Sequence, residues 1–224
     1  LQAGGSEPGL ELAARTADVV FSVQQDFEEA RTTYEDLKGR LAKFGRTREE
    51  VTVLPGVMPV VGRTEREALD KLAELQRFIT PENALLLLSE RLGVDLSQHG
   101  LDEPLRAVPR AENSHAFTRT LINKARRENM TLRDVYNLLG AARGHWVLVG
   151  SAEQVADTLQ HWFEGGAADG FNVMPSHFME GFEDFTSMVV PILQERRLFR
   201  GAYAGTTLRD HLGLARPPSP YGST

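Results

Sequence analysis

A chain of 224 residues with 41% hydrophobic and 25% charged side chains is long enough to bury a sizeable core and has the balance of a soluble globular protein. Its formal net charge of −6, with basic residues dispersed among acidic ones, argues against a nucleic-acid partner, and the lack of cysteine excludes disulfides, thiolate nucleophiles and zinc ribbons. No apolar run approaches the roughly 20 residues of a membrane span and no signal peptide is visible, so the expectation is a cytoplasmic enzyme or binding domain with no membrane role.

The first stretch, Gln2-Ala-Gly-Gly-Ser-Glu-Pro-Gly9, reads as the end of a strand, a turn and the start of a helix. Adjacent glycines permit positive φ and close backbone approach, Ser6 offers an N-cap, and Glu7 and Pro8 suit a first helical turn. Backbone N–H groups, a hydroxyl and the positive end of a helix macrodipole converge at Gly4, Gly5 and Ser6, where a phosphate can sit at little cost. A plain helix cap is the competing reading. Because the chain opens on what looks like the last residues of a strand, an earlier portion is expected to precede it.

Asp18-Val-Val-Phe21 is a short apolar run of the kind buried in a parallel sheet. Asp26-Phe-Glu-Glu29 caps an amphipathic helix with Phe27, Ala30, Tyr34, Leu37, Leu41 and Phe44 on one stripe, stopped by Gly45. Thr47 to Glu50 form a capped turn, and Val51 to Val61 a strand apolar on both faces, with a bulge or an end near Pro55 and Gly56. Thr64-Glu-Arg-Glu67 caps a helix whose expected inner face is Ala68, Leu69, Leu72, Leu75 and Phe78.

Residues 81–144 interrupt the alternation: a short helix over 84–92, a loop over 93–110, then helices over about 115–128 and 131–139. This predicts an insertion beside the site. Alternation resumes at Gly150 with a capping box at Ser151-Ala-Glu-Gln154, a helix carrying Val155, Leu159, Trp162 and Phe163, and a strand over 169–175. A last long helix over 182–198 is expected to bend at Pro191, and the tail beyond Gly201 to lie over the surface without a core of its own.

Four strands and at least four helices in βα order are half of a (β/α)8 barrel, whose missing half must precede Leu1 or come from another chain, since bare sheet edges are poorly tolerated. Strand ends are then the positions for ligand contact: Gln2 and Ala3, Phe21 and Ser22, Met58 to Val61, and Met174 to His177. His177 and Glu180 have a metal-ligand spacing but no third ligand, so a solvated loop is the simpler reading and no metal is expected. His145 and His161 beside Trp146 and Trp162 read as packing at a helix surface, His99, His115 and His211 have no partner in the sequence, and Arg126-Arg127 and Arg196-Arg197 read as helix C-terminal charges. No Walker loop, nucleophile elbow or His-Glu-x-x-His occurs.

Three pieces together carry a resemblance: Gln2 to Gly9 with Ala13 to Phe21; Gly144-His-Trp-Val-Leu-Val-Gly-Ser-Ala-Glu-Gln-Val-Ala-Asp157 with Gly170 to Pro175; and Val189 to Arg197 with Tyr203 to Pro217. The whole chain resembles the C-terminal half of bacterial-luciferase-like flavin monooxygenases, in the branch of nitrilotriacetate monooxygenase component A and dibenzothiophene-sulfone monooxygenase. The resemblance implies an α/β (β/α)8 TIM barrel of which residues 1-200 supply strands five to eight, with 81-144 as a helical insertion after strand seven and 201-224 as a tail. It implies reduced FMN delivered by a separate NAD(P)H-dependent flavin reductase, oxygenation of a small organic substrate with O2, and a homo-oligomer. The cofactor-binding residues implied are Ala3, Gly4, Gly5 and Ser6, with Ser6 in the place of the phosphate-binding serine; some luciferases have a glutamate where Gly5 stands. Catalytic residues are expected in the absent N-terminal half. A deazaflavin-dependent oxidoreductase of the same fold and a non-catalytic half barrel are the alternatives.

Overall fold

The computed structural model describes residues 1–105, 122, 125–140 and 145–216. Its strands are β1 (Gln2–Ala3), β2 (Val19–Ser22), β3 (Thr52–Gly62), β4 (Trp146–Ser151) and β5 (Asn172–Val173), and every pairing between them is parallel. The first helix, α1 (Glu7–Thr16), starts where Ser6 Oγ accepts the Gly9 N–H at 3.3 Å and turns Leu10, Ala13 and Ala14 inward. The second, α2 (Phe27–Arg40), is capped by Asp26, whose carboxylate accepts the N–H groups of Glu28 and Glu29, and ends through a tight turn at Gly45 with φ 67°. These helices pack against Val20, Val51 and Val53, with Leu37 and Leu41 fully buried between the layers. Each such leucine contributes roughly 2 kcal/mol by leaving water.

Because successive strand residues face opposite ways, Val20 and Val53 on the helix side put Phe21 and Leu54 on the other face. The register places Gly56 and Asn172 on that same bare face. There Ala3 and Asn172 are exposed and Phe21 and Leu54 half-buried.

Five strands stand where four were expected. The additional one is β4, which pairs with β3 from Val57 to Gly62. Val57 is flanked by Trp146 on one side and Val173 on the other, while the Thr52 N–H donates to Asp18 O and the Met174 N–H to Val57 O. Alternate peptide groups of a strand point to opposite neighbours, so β2 and β4 lie end to end along one edge of β3 and β5 lies along the other. Gly56 is the seam between them. Met58, Val60 and Val61 are consequently enclosed by β4 and its neighbours, not presented at a strand end as expected. The strand over 169–175 shrinks to Asn172–Val173.

The remaining helices are α3 (Glu65–Arg77), α4 (Pro81–Leu92), α5 (Leu132–Gly140), α6 (Ala152–Glu164), α7 (Glu180–Asp184), α8 (Val190–Glu195) and α9 (Leu208–His211). On α3 only Ala68 is fully buried, and Leu69 and Phe78 are exposed, against the expected inner face. In the insertion, α4 and α5 bury Ala84, Leu88, Leu92, Leu132 and Val135 in a cluster of their own. The expected helix over 115–128 lies mostly outside the described residues. The last long helix is broken into α7, a π turn (Phe185–Val189) and α8, since Pro191 cannot donate into a continuous ladder. The tail is better anchored than expected: α9 has a capping box at Thr207, Leu214 is buried, and Arg209 pairs with Asp18 at 2.9 Å. Among the described residues no helix is long and apolar enough to cross a membrane.

Candidate active site

The two ends of this sheet are built differently. At the amino end, the buried Lys38 ammonium pairs with Asp169 at 2.8 Å and donates to the carbonyls of Arg48 and Val51. Asp169 also accepts the Tyr34 hydroxyl and the Val53 N–H, both at 2.8 Å. Burial, then this bond to a carboxylate, pushes the Tyr34 phenol well above its usual range. Arg46 closes the same end by donating to the carbonyls of Ala14, Ala17 and Glu50. Every polar group of this network has a partner. None of it was singled out in the sequence, because its members are far apart in the chain.

The carboxyl end is open. Ala3, Gly4, Gly5 and Ser6 run consecutively from the end of β1 into the first turn of α1, and all four are exposed. Gly4 has φ 144°, a conformation that excludes ordinary side chains, whereas a Cβ built at Gly5 meets nothing within 4 Å. The first helical bond is donated by Leu10 to Ser6 O, Gly9 is spent on the Ser6 hydroxyl, and Pro8 has no N–H. Among the described residues the N–H groups of Gly5, Ser6 and Glu7 therefore remain without an intramolecular acceptor. Glu7 is occupied elsewhere: Arg40 holds it through two bonds of 2.6 and 2.9 Å and depresses its carboxyl pKa. The same guanidinium also pairs with Asp36 at 2.7 Å and with Glu11 at 3.4 Å, so it draws the Glu7 carboxylate into a cluster on the α1–α2 side of the loop.

Among the described residues, three polar atoms near the carboxyl ends of β1 and β2 and the seam are enclosed without a hydrogen-bond partner: Gln2 Oε1, Ser22 Oγ and His145 Nδ1. Gln2 and Ser22 are among the strand-end residues expected from sequence. His145 is not at a helix surface as expected. It precedes β4, and its ring stacks on Phe21 with centroids 4.8 Å apart and planes at 19°. Burial lowers its pKa below the ordinary 6.5. The unbroken apolar run Trp146 to Val149 is the signal that could have revealed β4 and this placement.

Other expected residues fall as follows. His161 packs on Phe27 with centroids 4.3 Å apart, and Trp146 stacks on Trp162, so those two readings hold. His177 lies between Ser176 Oγ at 3.0 Å and an exposed Glu180 at 3.4 Å, in the loop that follows β5. Among the described residues no group of three or more ligating side chains could hold a metal ion. His99 meets Glu103 at 2.7 Å and His211 meets Gly205 O at 3.0 Å; His115 lies outside the described residues. Arg196 reaches across to Asp157 on α6 at 2.7 Å instead of only ending its own helix.

Residues 1–169 match the family model described as luciferase-like monooxygenase. The chain is 47% identical over 219 residues to nitrilotriacetate monooxygenase component A of Aminobacter aminovorans, covering 97% of this chain and 48% of that protein. It is 35% identical over 223 residues to dibenzothiophene-sulfone monooxygenase of Rhodococcus erythropolis, covering 97% and 49%. Among solved structures it is similar to EDTA monooxygenase from Chelativorans sp. BNC1, with a TM-score of 0.71 at 30% identity over 96% of this chain and 50% of that one. The chain spans about half the length of the curated relatives it matches.

Proposed function

The chain belongs to the luciferase-like monooxygenase family, and from that premise we propose that it is the C-terminal half of a (β/α)8 barrel in a two-component, FMN-dependent monooxygenase. Residues 1-200 are strands five to eight with their helices, 81-144 the insertion and 201-224 the tail. In this reading the four barrel strands are β1, β2, β3 and β5, and β4 is an extension above the rim. The observation that carries it is the asymmetry of the sheet: helices bury Val20 and Val53 on one face, while on the other Ala3 and Asn172 are exposed and Phe21 and Leu54 only half-buried. A second half barrel preceding Leu1 would close that face into an interior.

The loop after β1 fits a phosphate monoester. Its three uncommitted N–H groups, the Ser6 hydroxyl and the helix dipole favour a dianion, and the open space at Gly5 leaves room for one. Ala3, Gly4, Gly5 and Ser6 would hold the FMN phosphate, and the carboxyl end of the sheet would receive the rest of the cofactor. Bound reduced flavin supplies the reaction with O2 and the transfer of one oxygen atom to the substrate. This chain's part would be to anchor the phosphate through the loop after β1 and to keep water away through the apolar side chains around it. A separate NAD(P)H:flavin reductase delivers the reduced cofactor, as the words "component A" in a relative's name suggest. The substrate is a small organic molecule, as are the compounds for which the relatives are named. The active form is a homo-oligomer in the cytoplasm.

The test supplies the intact protein with a flavin reductase, NADH, O2 and a panel of small organic acids and sulfones. Substrate-dependent formation of an oxygenated product is expected; hydrogen peroxide as the sole product with every compound refutes the proposal. A parallel titration should show FMN binding at least about tenfold more tightly than riboflavin, since only FMN engages the loop.

A further inference from the structure

We infer that His145 is a ligand-contacting residue of this pocket: a neutral imidazole that keeps its proton on Nε2 and donates it to an oxygen acceptor, carbonyl or carboxylate, of the molecule bound at the carboxyl end of the sheet. The inference rests on the flavin-enzyme reading above and adds to it a residue that neither the family match nor the loop after β1 supplies.

Three observations converge on this ring. It sits at the seam where β2 ends and β4 begins, on the bare face of the sheet, among the strand ends that face the ligand. It is fixed from two sides, by the stack on Phe21 and by the absence of a side chain at Gly56. A Cβ at Gly56 would overlap Nδ1 and come within 2.7 Å of the Phe21 ring. Glycine at 56 is thus what lets the imidazole lie flat over the strand. Finally, among the described residues Nδ1, enclosed against that glycine, has no hydrogen-bond partner.

The chemistry follows from the last point. A proton on Nδ1 would be a buried donor with no acceptor, which native structures tolerate less readily than a bare acceptor. A doubly protonated ring would bury both that donor and a charge, and enclosure already disfavours the charged form. The arrangement that remains is neutral, with the proton on Nε2. Held in one orientation, it is a donor aimed without reorganisation, which is what positioning a flavin carbonyl or a substrate oxygen requires.

The test labels the intact protein with 15N-histidine and reads the His145 ring by long-range 1H–15N NMR. The expected spectrum at neutral pH is the neutral Nε2–H tautomer, and its Nε2 resonance should move on adding FMN alone if the flavin carries the acceptor, or only on adding substrate if the substrate does. His145→Phe keeps the stack and deletes the donor, so affinity for the responding ligand should fall about threefold to tenfold. His145→Gln should recover part of the loss. Gly56→Ala should displace the ring and reproduce the His145→Phe defect. An Nδ1–H tautomer, a protonated ring at neutral pH, or an Nε2 resonance that neither ligand moves while both bind overturns the inference. Failure of the unaltered protein to bind FMN would instead sink the function proposed above, so the two failures are distinguishable.

Discussion

The amino and carboxyl ends of one parallel sheet divide the labour of the molecule. At the amino end a buried ammonium, a carboxylate, a phenol and several carbonyls are all satisfied by one another through Lys38, Asp169, Tyr34 and Arg46. At the carboxyl end, N–H groups stand uncommitted over Gly5 to Glu7, and Gln2, Ser22 and His145 each enclose a polar atom without a partner. A buried polar atom left alone costs about 1–3 kcal/mol, so three of them gathered at one end mark that end as not built for stability alone. The contrast separates groups that hold the sheet together from the uncommitted groups that the proposed function assigns to a ligand.

The sharpest way to break that contrast is to empty the amino-end network. Asp169→Ala leaves the Lys38 ammonium buried beside two carbonyls and without its counter-charge, and should cost about 3 kcal/mol. Urea unfolding should show the midpoint fall at unchanged slope, with FMN affinity of the surviving folded protein intact. A loss of FMN binding without a loss of stability would mean that this end is not merely structural.

The reverse experiment acts on the loop. Gly5→Asp introduces a negative charge where a side chain meets nothing and the backbone φ is not in the left-handed region. It should leave the unfolding midpoint nearly unmoved and weaken FMN binding by about tenfold or more, read by fluorescence titration, with riboflavin affected far less. Equal losses for FMN and riboflavin would detach the phosphate from this loop.

Smaller effects refine the picture. Tyr34→Phe removes one of the bonds to Asp169 while keeping the ring, and should cost about 1 kcal/mol in the same unfolding assay. At the other end, the depressed pKa of His145 means that the unfolded chain binds its proton more readily than the folded one. The stability contributed by that difference is present above pH 6.5 and is lost as the pH falls from there toward the folded value. His145→Phe should therefore flatten the decline of melting temperature just below pH 6.5, and an unchanged slope would remove His145 as its source.

How much of this was legible in advance follows from the range of each interaction. The Ser6, Asp26, Thr64 and Ser151 caps were readable because the donor and acceptor lie within a few residues. The family, too, was readable from short motifs, and residues 1–169 match it. The exposure of Leu69 and Phe78 was not, because periodicity names a stripe on a helix but not whether anything comes to cover it.

Local chemistry in the sequence determined the βα rhythm, the helix starts and the glycine-serine loop with its unspent donors, since these need only neighbouring residues. Tertiary structure alone decided that β4 would run on from β2 along the edge of β3, that Tyr34 would meet Asp169 from 135 residues away, and that His145 would lie over Gly56. Those contacts depend on strand register and on which elements the fold brings side by side. A linear pattern carries that information only through the packing it produces.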